Sequence, residues 1–415
     1  MSSLVSNLES VADRNLIHPH NLEDPAPLYR ELRRYDPVHW AENIHAWFLT
    51  RHDDVAAAFV DPRLSAERWK FFEYQLQGLG PEVIEEFLQL TRDQMVMRDG
   101  AEHVRLRRQA GVAFTPLRVE ELKPFIHRTL DHLLERVFAQ RRMNLARDIS
   151  YPLPTLVIAE LLGVPARDRE RFQHWSCRLA DFVAPAAGAS MLETARRANQ
   201  AMVEMRDYFL PLVEERRQHP GRDALSSMIR AQDQGRMTPR ELISNAILIL
   251  FAGHTTTTDQ LSNCMHDLLT HPEQLARLRA DPRLLGPTVE ESLRFHPAVP
   301  SVFRVAVEDV TLRGRTIRAG DVVFLCMAAA NRDPAVFSHP DRFDITRGPP
   351  ALKPLPFGSG PHHCMGASLA RREMELGVSV LLERLPELRL DETQPTRIKC
   401  HSLNFRGLEQ LPVCW

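Results

Sequence analysis

Between Pro239 and Pro272 the chain carries no proline, and its apolar residues recur at helical spacing, so the whole stretch reads as one uninterrupted helix. At 1.5 Å per residue such a helix is about 45 to 50 Å long, enough to cross an entire domain. It is too apolar to lie on a surface. The rest of the chain therefore has to be arranged around a buried rod. Helical periodicity recurs at residues 24–33, 118–142, 153–162 and 194–217. Strand patterns are fewer: residues 38–40 and 45–50 read as a hairpin, and residues 302–307, 311–317 and 322–325 as further strands. These features predict a mainly α fold with a smaller β part. No repeat, low-complexity tract or long linker divides it, so a single domain spanning residues 1–415 is expected, with residues 1–23 as an N-terminal extension.

Composition narrows the function mainly by exclusion. Lys plus Arg is 52 and Asp plus Glu is 54, a formal net charge of −2, which gives no pull toward nucleic acid or an anionic membrane. The N-terminus has no basic, then apolar, signal-like run, and nothing approaches the roughly 20 apolar residues of a membrane span. The six cysteines are scattered without a disulfide framework, as expected in a reducing, cytoplasmic setting.

One of them stands apart. In Phe357-Gly358-Ser359-Gly360-Pro361-His362-His363-Cys364-Met365-Gly366 the glycines allow a tight loop and close approach to a flat ligand. Helical periodicity resumes at Ala367, so the Cys364 sulfur is expected at a helix N-terminus, where the helix dipole and free amides favour a thiolate. A thiolate can ligate heme iron and push electron density toward bound oxygen. A buried structural cysteine is the plainer alternative. A zinc site with His362 and His363 would need about four ligands, and no C-x-x-C or H-x-x-x-H pattern completes one.

The spacing Phe357-x-x-Gly360-x-x-x-Cys364-x-Gly366 resembles that of the cytochrome P450 superfamily, and further segments extend the likeness from about Asp24 to the C-terminus. The resemblance implies a P450 fold with heme b held between the long helix and the helix after Cys364, which is the metal ligand; Phe357, Gly358 and Gly366 belong to the same cofactor loop. His103, Arg107, Arg304 and His362 match positions that hold the heme propionates. Ala252-Gly253-His254-Thr255-Thr256 matches the segment that passes over the iron: Ala252 and Gly253 leave room for O2, and Thr256 donates a hydrogen bond to the reduced oxygen. Glu291 and Arg294 match a buried ion pair, with Arg342 as its third member.

Thr255 is where this chain departs from the family, which usually has Asp or Glu there to relay protons; a hydroxyl is no proton source near neutral pH. A water chain delivers the protons directly, Asp259 one turn on takes part of the relay, or the chemistry is not ordinary hydroxylation; water with substrate-assisted delivery is expected. Phe71, Phe72, Met95, Met97, Leu248, Val299 and Val302 form the expected apolar substrate lining. No dinucleotide fingerprint or fused flavin domain is present, so electrons are expected from NAD(P)H through a separate ferredoxin or flavodoxin with its reductase, docking by Arg105, Arg108 and Arg371 near the cysteine loop. The expected activity is that of a monomeric monooxygenase acting on a hydrophobic small molecule. A peroxide-driven heme-thiolate enzyme and a noncatalytic heme sensor are the alternatives.

Overall fold

The computed structural model describes residues 15–76, 78, 80–183, 190–348, 354–399 and 402–415. Its site is positioned by the helices α1 (Gly100–Ala110), α2 (Pro152–Leu162), α3 (Pro239–Thr270), α4 (Leu285–Phe295) and α5 (Ala367–Arg384). The predicted rod is α3, 32 residues long. It starts cleanly: Thr238 Oγ1 accepts from the Glu241 amide, the Glu241 carboxylate accepts from the Thr238 amide at 2.8 Å, and Pro239 sits where no amide is needed. Its apolar residues are buried around most of its circumference. Helix α2, which packs across it, is also buried nearly all round and ends at Gly163, whose φ of 79° is the left-handed conformation that stops a helix.

The β part is led by a five-stranded sheet of β1 (Val38–Ala41), β2 (Ala46–Leu49), β3 (Leu64–Ser65), β4 (Ser301–Ala306) and β5 (Val322–Cys326), in the order β1-β2-β5-β4-β3. β1 and β2 are the expected hairpin, with Val38 opposite Leu49. β2 runs parallel to β5, and β4 antiparallel to it with Arg304 opposite Val323. Alternation along β4 places Val302 and Arg304 on one face and Phe303 on the other.

Two expected elements differ. Residues 311–317 form a tight hairpin, Val310–Leu312 and Arg315–Ile317, because Arg313 and Gly314 take φ values of 47° and 76° and reverse the chain. The helix over residues 118–142 ends at Phe138, since Arg142–Asn144 is drawn into a strand paired with Pro412–Cys414. The packed part of the chain begins before residue 24, within the stretch expected as an extension. Leu16 is buried, Pro19–Glu23 is helical, and Arg406 donates to the carbonyls of Leu22 and Glu23; residues 1–14 lie outside the described residues. Among the described residues no helix is long and apolar enough to cross a membrane.

Candidate active site

The cysteine loop is held open by glycine. Gly358 and Gly360 have φ values of 69° and 68°. A Cβ at Gly360 would come within 2.6 Å of Val60 Cγ1 and 3.3 Å of the Phe59 carbonyl, so both backbone angle and space forbid a side chain there. The Cys364 amide donates to Phe357 O at 2.9 Å, closing the turn so that the sulfur faces a cavity at the start of α5. Burial pushes the Cys364 thiol up; the Gly366 amide, the Arg107 and Arg371 guanidinium groups and the Ala367 amide oppose it. Arg371 lies over the Phe357 ring at 4.6 Å, and Arg107 donates to His363 O at 2.6 Å, tying α1 to the loop.

The cavity, about 300 Å³, runs between this loop and the middle of α3, with Val302 and Arg304 of β4 along one wall. His103, Arg107, Arg304 and His362 all line it, as the resemblance implied. His103 and His362 stack at 4.0 Å, and His362 Nε2 pairs with Asp99 at 3.2 Å. Burial, then His362 and Arg107, pushes His103 down to about 4. Burial would raise the Asp99 carboxyl, but hydrogen bonds from His362 and Ser65 outweigh it and hold the group at about 2.

A further cation was not evident from sequence. Arg68, from the segment after β3, also lines the cavity. Burial and the nearby Arg304 push it down to about 9, and burial pushes Arg304 down to about 10, so both stay charged at neutral pH. Among the described residues neither makes an ion pair. Arg68 donates to Val96 O at 3.3 Å and Arg304 to Phe303 O at 3.1 Å. Asp99 offsets both charges but is already held by His362 and Ser65, so two arginines share one engaged anion, which is costly. The two propionates of a heme would supply the balancing charge, and the cysteine opposite would supply a sulfur ligand to its iron. The residues present fit the group.

On the far wall α3 contributes Leu248, Ala252, Gly253, Thr256, Thr257 and Gln260. Gly253 is small for a structural reason besides room for a ligand: a Cβ there would lie 2.5 Å from Ile158 Cδ1, where α2 crosses. Thr256 Oγ1 donates to Ala252 O at 3.1 Å, one turn back, and its oxygen can still accept. Thr255 differs from expectation. It does not line the cavity; its hydroxyl faces His254 Nε2 at 3.4 Å, and His254 is buried with Nδ1 on Leu250 O and pushed down to about 4 by burial. Asp259 is no substitute either, because its buried carboxylate pairs with Lys399 at 2.5 Å, away from the cavity lining.

Met95, Leu248, Val299 and Val302 line the cavity as predicted. Phe71, Phe72 and Met97 do not. The two phenylalanines join a core cluster with Phe87, Phe182 and Phe303, and Met97 packs against the same core while Val96 takes the lining position. The ion pair is bidentate, Arg294 to Glu291 at 2.7 Å on both oxygens, and nearly inaccessible. Its third member is Arg347, 3.1 Å from Glu291, rather than Arg342; Arg342 is exposed and contributes only its carbonyl, to Arg294 and Arg347. Of the proposed docking cations, Arg105 is bound to Glu102 and Glu241, and Arg371 to Glu290. Arg108 is exposed and makes no ion pair among the described residues.

A cysteine sulfur in a glycine loop at a helix N-terminus, facing a long buried helix across a cavity lined by arginines that make no ion pair among the described residues, fits a heme-thiolate protein. Comparison with known proteins specifies it further. Residues 83–408 match the family model described as Cytochrome P450. The biotin biosynthesis cytochrome P450 of Bacillus subtilis is 36% identical over 397 residues, covering 94% of this chain and 96% of that protein. The vitamin D(3) 25-hydroxylase of Pseudonocardia autotrophica is 38% identical over 396 residues, covering 94% of each. The crystal structure of CalO2 superposes with a TM-score of 0.88 at 36% identity, covering 96% of this chain and 98% of that one. The chain belongs to the cytochrome P450 family, and it is a heme-thiolate monooxygenase of the bacterial type.

Proposed function

We propose that the cavity is a heme b site, in which the Cys364 sulfur would hold the iron and Arg68, Arg304, His103, Arg107 and His362 would hold the propionates. A hydrophobic organic substrate then lies against Met95, Leu248, Val299 and Val302. The observation that carries this reading is the pair of arginines on the cavity wall that make no ion pair among the described residues, set across from a cysteine that faces the same cavity. When bound, the heme supplies reductive activation of O2, one oxygen atom entering the substrate and the other leaving as water.

The protein's own residues do the rest. The apolar wall excludes bulk water and orients the substrate by shape. Gly253 keeps α2 and α3 close, and Ala252 keeps the helix surface low beside the ligand. The Thr256 hydroxyl, which donates to Ala252 O, keeps its oxygen free to accept a hydrogen bond from water and would hold that water at this wall of the cavity.

Electrons come from NAD(P)H by way of a ferredoxin or flavodoxin and its reductase, delivered to a monomeric, cytoplasmic enzyme. The docking face is the surface around the cysteine loop, where Val60, whose methyl lies beside Gly360, and Val104 of α1 are exposed next to Arg108. A small apolar patch with one free cation suits an acidic redox protein. The test has two parts. Apolar compounds titrated into ferric enzyme should shift its spin state, and Val302→Trp should abolish the shift without loss of heme. Compounds that displace heme instead, or a shift indifferent to position 302, would refute this placement of the substrate.

A further inference from the structure

Helix α3 carries a polar stripe that none of the roles above uses. Gln260, Asn263 and Asp267 recur at i, i+3 and i+7, so they share one face, and all three are buried. Buried polar side chains are hydrogen-bonded, and these three direct their bonds at one target, the turn that leads from α4 to β4. That turn, residues 296–300, forms neither helix nor strand, and its Pro297 and Pro300 have no amide to donate. Its shape has to be imposed from outside.

Gln260 imposes most of it. Its Oε1 accepts from the Ala298 amide at 2.7 Å, and its Nε2 donates to the His296 carbonyl and the Ser292 hydroxyl, both at 3.2 Å. Asn263 donates to the same His296 carbonyl at 3.1 Å. Asp267 accepts from His296 Nδ1 at 2.6 Å and from the Ser292 hydroxyl at 3.3 Å. On the other side the Pro300 carbonyl accepts from the Ala328 amide at 2.9 Å, and Ser301 is paired with Cys326 in the sheet. Val299 is thus held between two fixed neighbours. Of the three stripe residues Gln260 alone lines the cavity, together with Ala298, Val299 and Val302.

We propose that Gln260 is a positioning residue for substrate selectivity: it clamps the turn to α3, so that Ala298 and Val299 keep a fixed place in the substrate wall and ligands are sorted by width. The inference rests on the reading of this cavity as the substrate pocket of a heme-thiolate enzyme. Both ends of the Gln260 amide are engaged, so its part is to hold the wall rather than to bind a polar group of the substrate. A ligand that pushes Val299 outward has to pull the Ala298 amide off Gln260 and leave it buried without an acceptor, which is unfavourable. With an apolar side chain of similar size at position 260 that resistance is gone, and the turn yields.

The experiment uses the heme-loaded ferric enzyme and two azoles whose nitrogen ligates heme iron, imidazole and the much bulkier clotrimazole, followed by the Soret shift. Gln260→Leu should leave the imidazole affinity within about twofold and raise the clotrimazole-to-imidazole affinity ratio roughly tenfold. A merely structural glutamine would lower the unfolding midpoint and leave that ratio alone, which would overturn the proposal, as would a lowered ratio. Gln260→Asn, one methylene too short to reach Ala298, should raise the ratio as well, and it decides the matter if Gln260→Leu does not fold. Wild type that binds no imidazole, or that lacks the carbon monoxide spectrum of a thiolate ligand, would overturn the heme-thiolate reading beneath the proposal; wild type that shows both, with an unchanged ratio in the variants, would overturn only the role of Gln260.

Discussion

Arg68 and Arg304 bring two charges to one cavity with Asp99, already held by His362, to offset them, so on the proposed placement their first task is to bind the cofactor. In that placement each would form charge-assisted hydrogen bonds to the propionates, worth about 1.5–3 kcal/mol. Arg68→Ala and Arg304→Ala should therefore each speed heme transfer to an acceptor protein by about 10- to 100-fold. Equal transfer rates in wild type and either variant would contradict the assignment. Glu373 of α5, buried at the cavity, makes a prediction with a definite sign. Its folded value lies above the ordinary one, so the stability that comes from its bound proton is complete below about pH 4.5 and is lost as pH rises through the folded value. Glu373→Gln should gain unfolding midpoint relative to wild type as pH is raised from about 5 to about 8, by at most about 1.4 kcal/mol per pH unit. A constant offset would mean the carboxyl is ionised in both states. At this scale the sequence was legible where cavity-lining residues share a short local spacing: Cys364 with its glycines, and His103 with Arg107 one turn apart. Arg68, Arg347 and Glu373 were not. Nothing adjacent to them marks them, and Glu373, in the run Arg371-Arg372-Glu373, reads as surface charge until α5 is laid against α3.

Helix α3 keeps its form through a glycine, a histidine and four threonines because tertiary contacts outweigh weak propensity. Gly253 shows which term wins. Gly253→Ala would gain about 1 kcal/mol in helix propensity, but overpacking against Ile158 costs about 1–3 kcal/mol. The net change should be destabilising by up to about 2 kcal/mol, and Ile158→Val in the same chain should recover part of it, as measured by denaturant midpoints. A stabilised Gly253→Ala would show that α2 yields freely. Long periodic elements such as α3 and the β1–β2 hairpin could be read from pattern alone. The boundary at Phe138 could not, because what ends that helix is a strand pairing with residues 412–414 at the far end of the chain.

At the scale of the whole molecule, the network of Glu291, Arg294 and Arg347 ties α4 to residues 331–347, just ahead of the cysteine loop. Arg294 donates to the carbonyls of Asn331, Pro340 and Arg342 besides its pair with Glu291, so every donor that is buried has an acceptor. Arg294→Met should cost about 3–5 kcal/mol by stranding Glu291. Arg347→Met should also be felt, whereas Arg342→Ala should change stability by less than about 0.5 kcal/mol, since only its backbone takes part. The sequence named this motif correctly at Glu291 and Arg294 and misplaced its third member by five positions, because the loop that delivers Arg347 has no periodic signature to fix its register. The central claim, that Cys364 binds heme iron as a thiolate, is tested most directly by the absorbance of the reduced protein under carbon monoxide. The account predicts the long-wavelength Soret band of a thiolate-ligated ferrous carbonyl, missing in Cys364→Ala. A wild-type spectrum with only the shorter-wavelength band of a neutral axial ligand would contradict it.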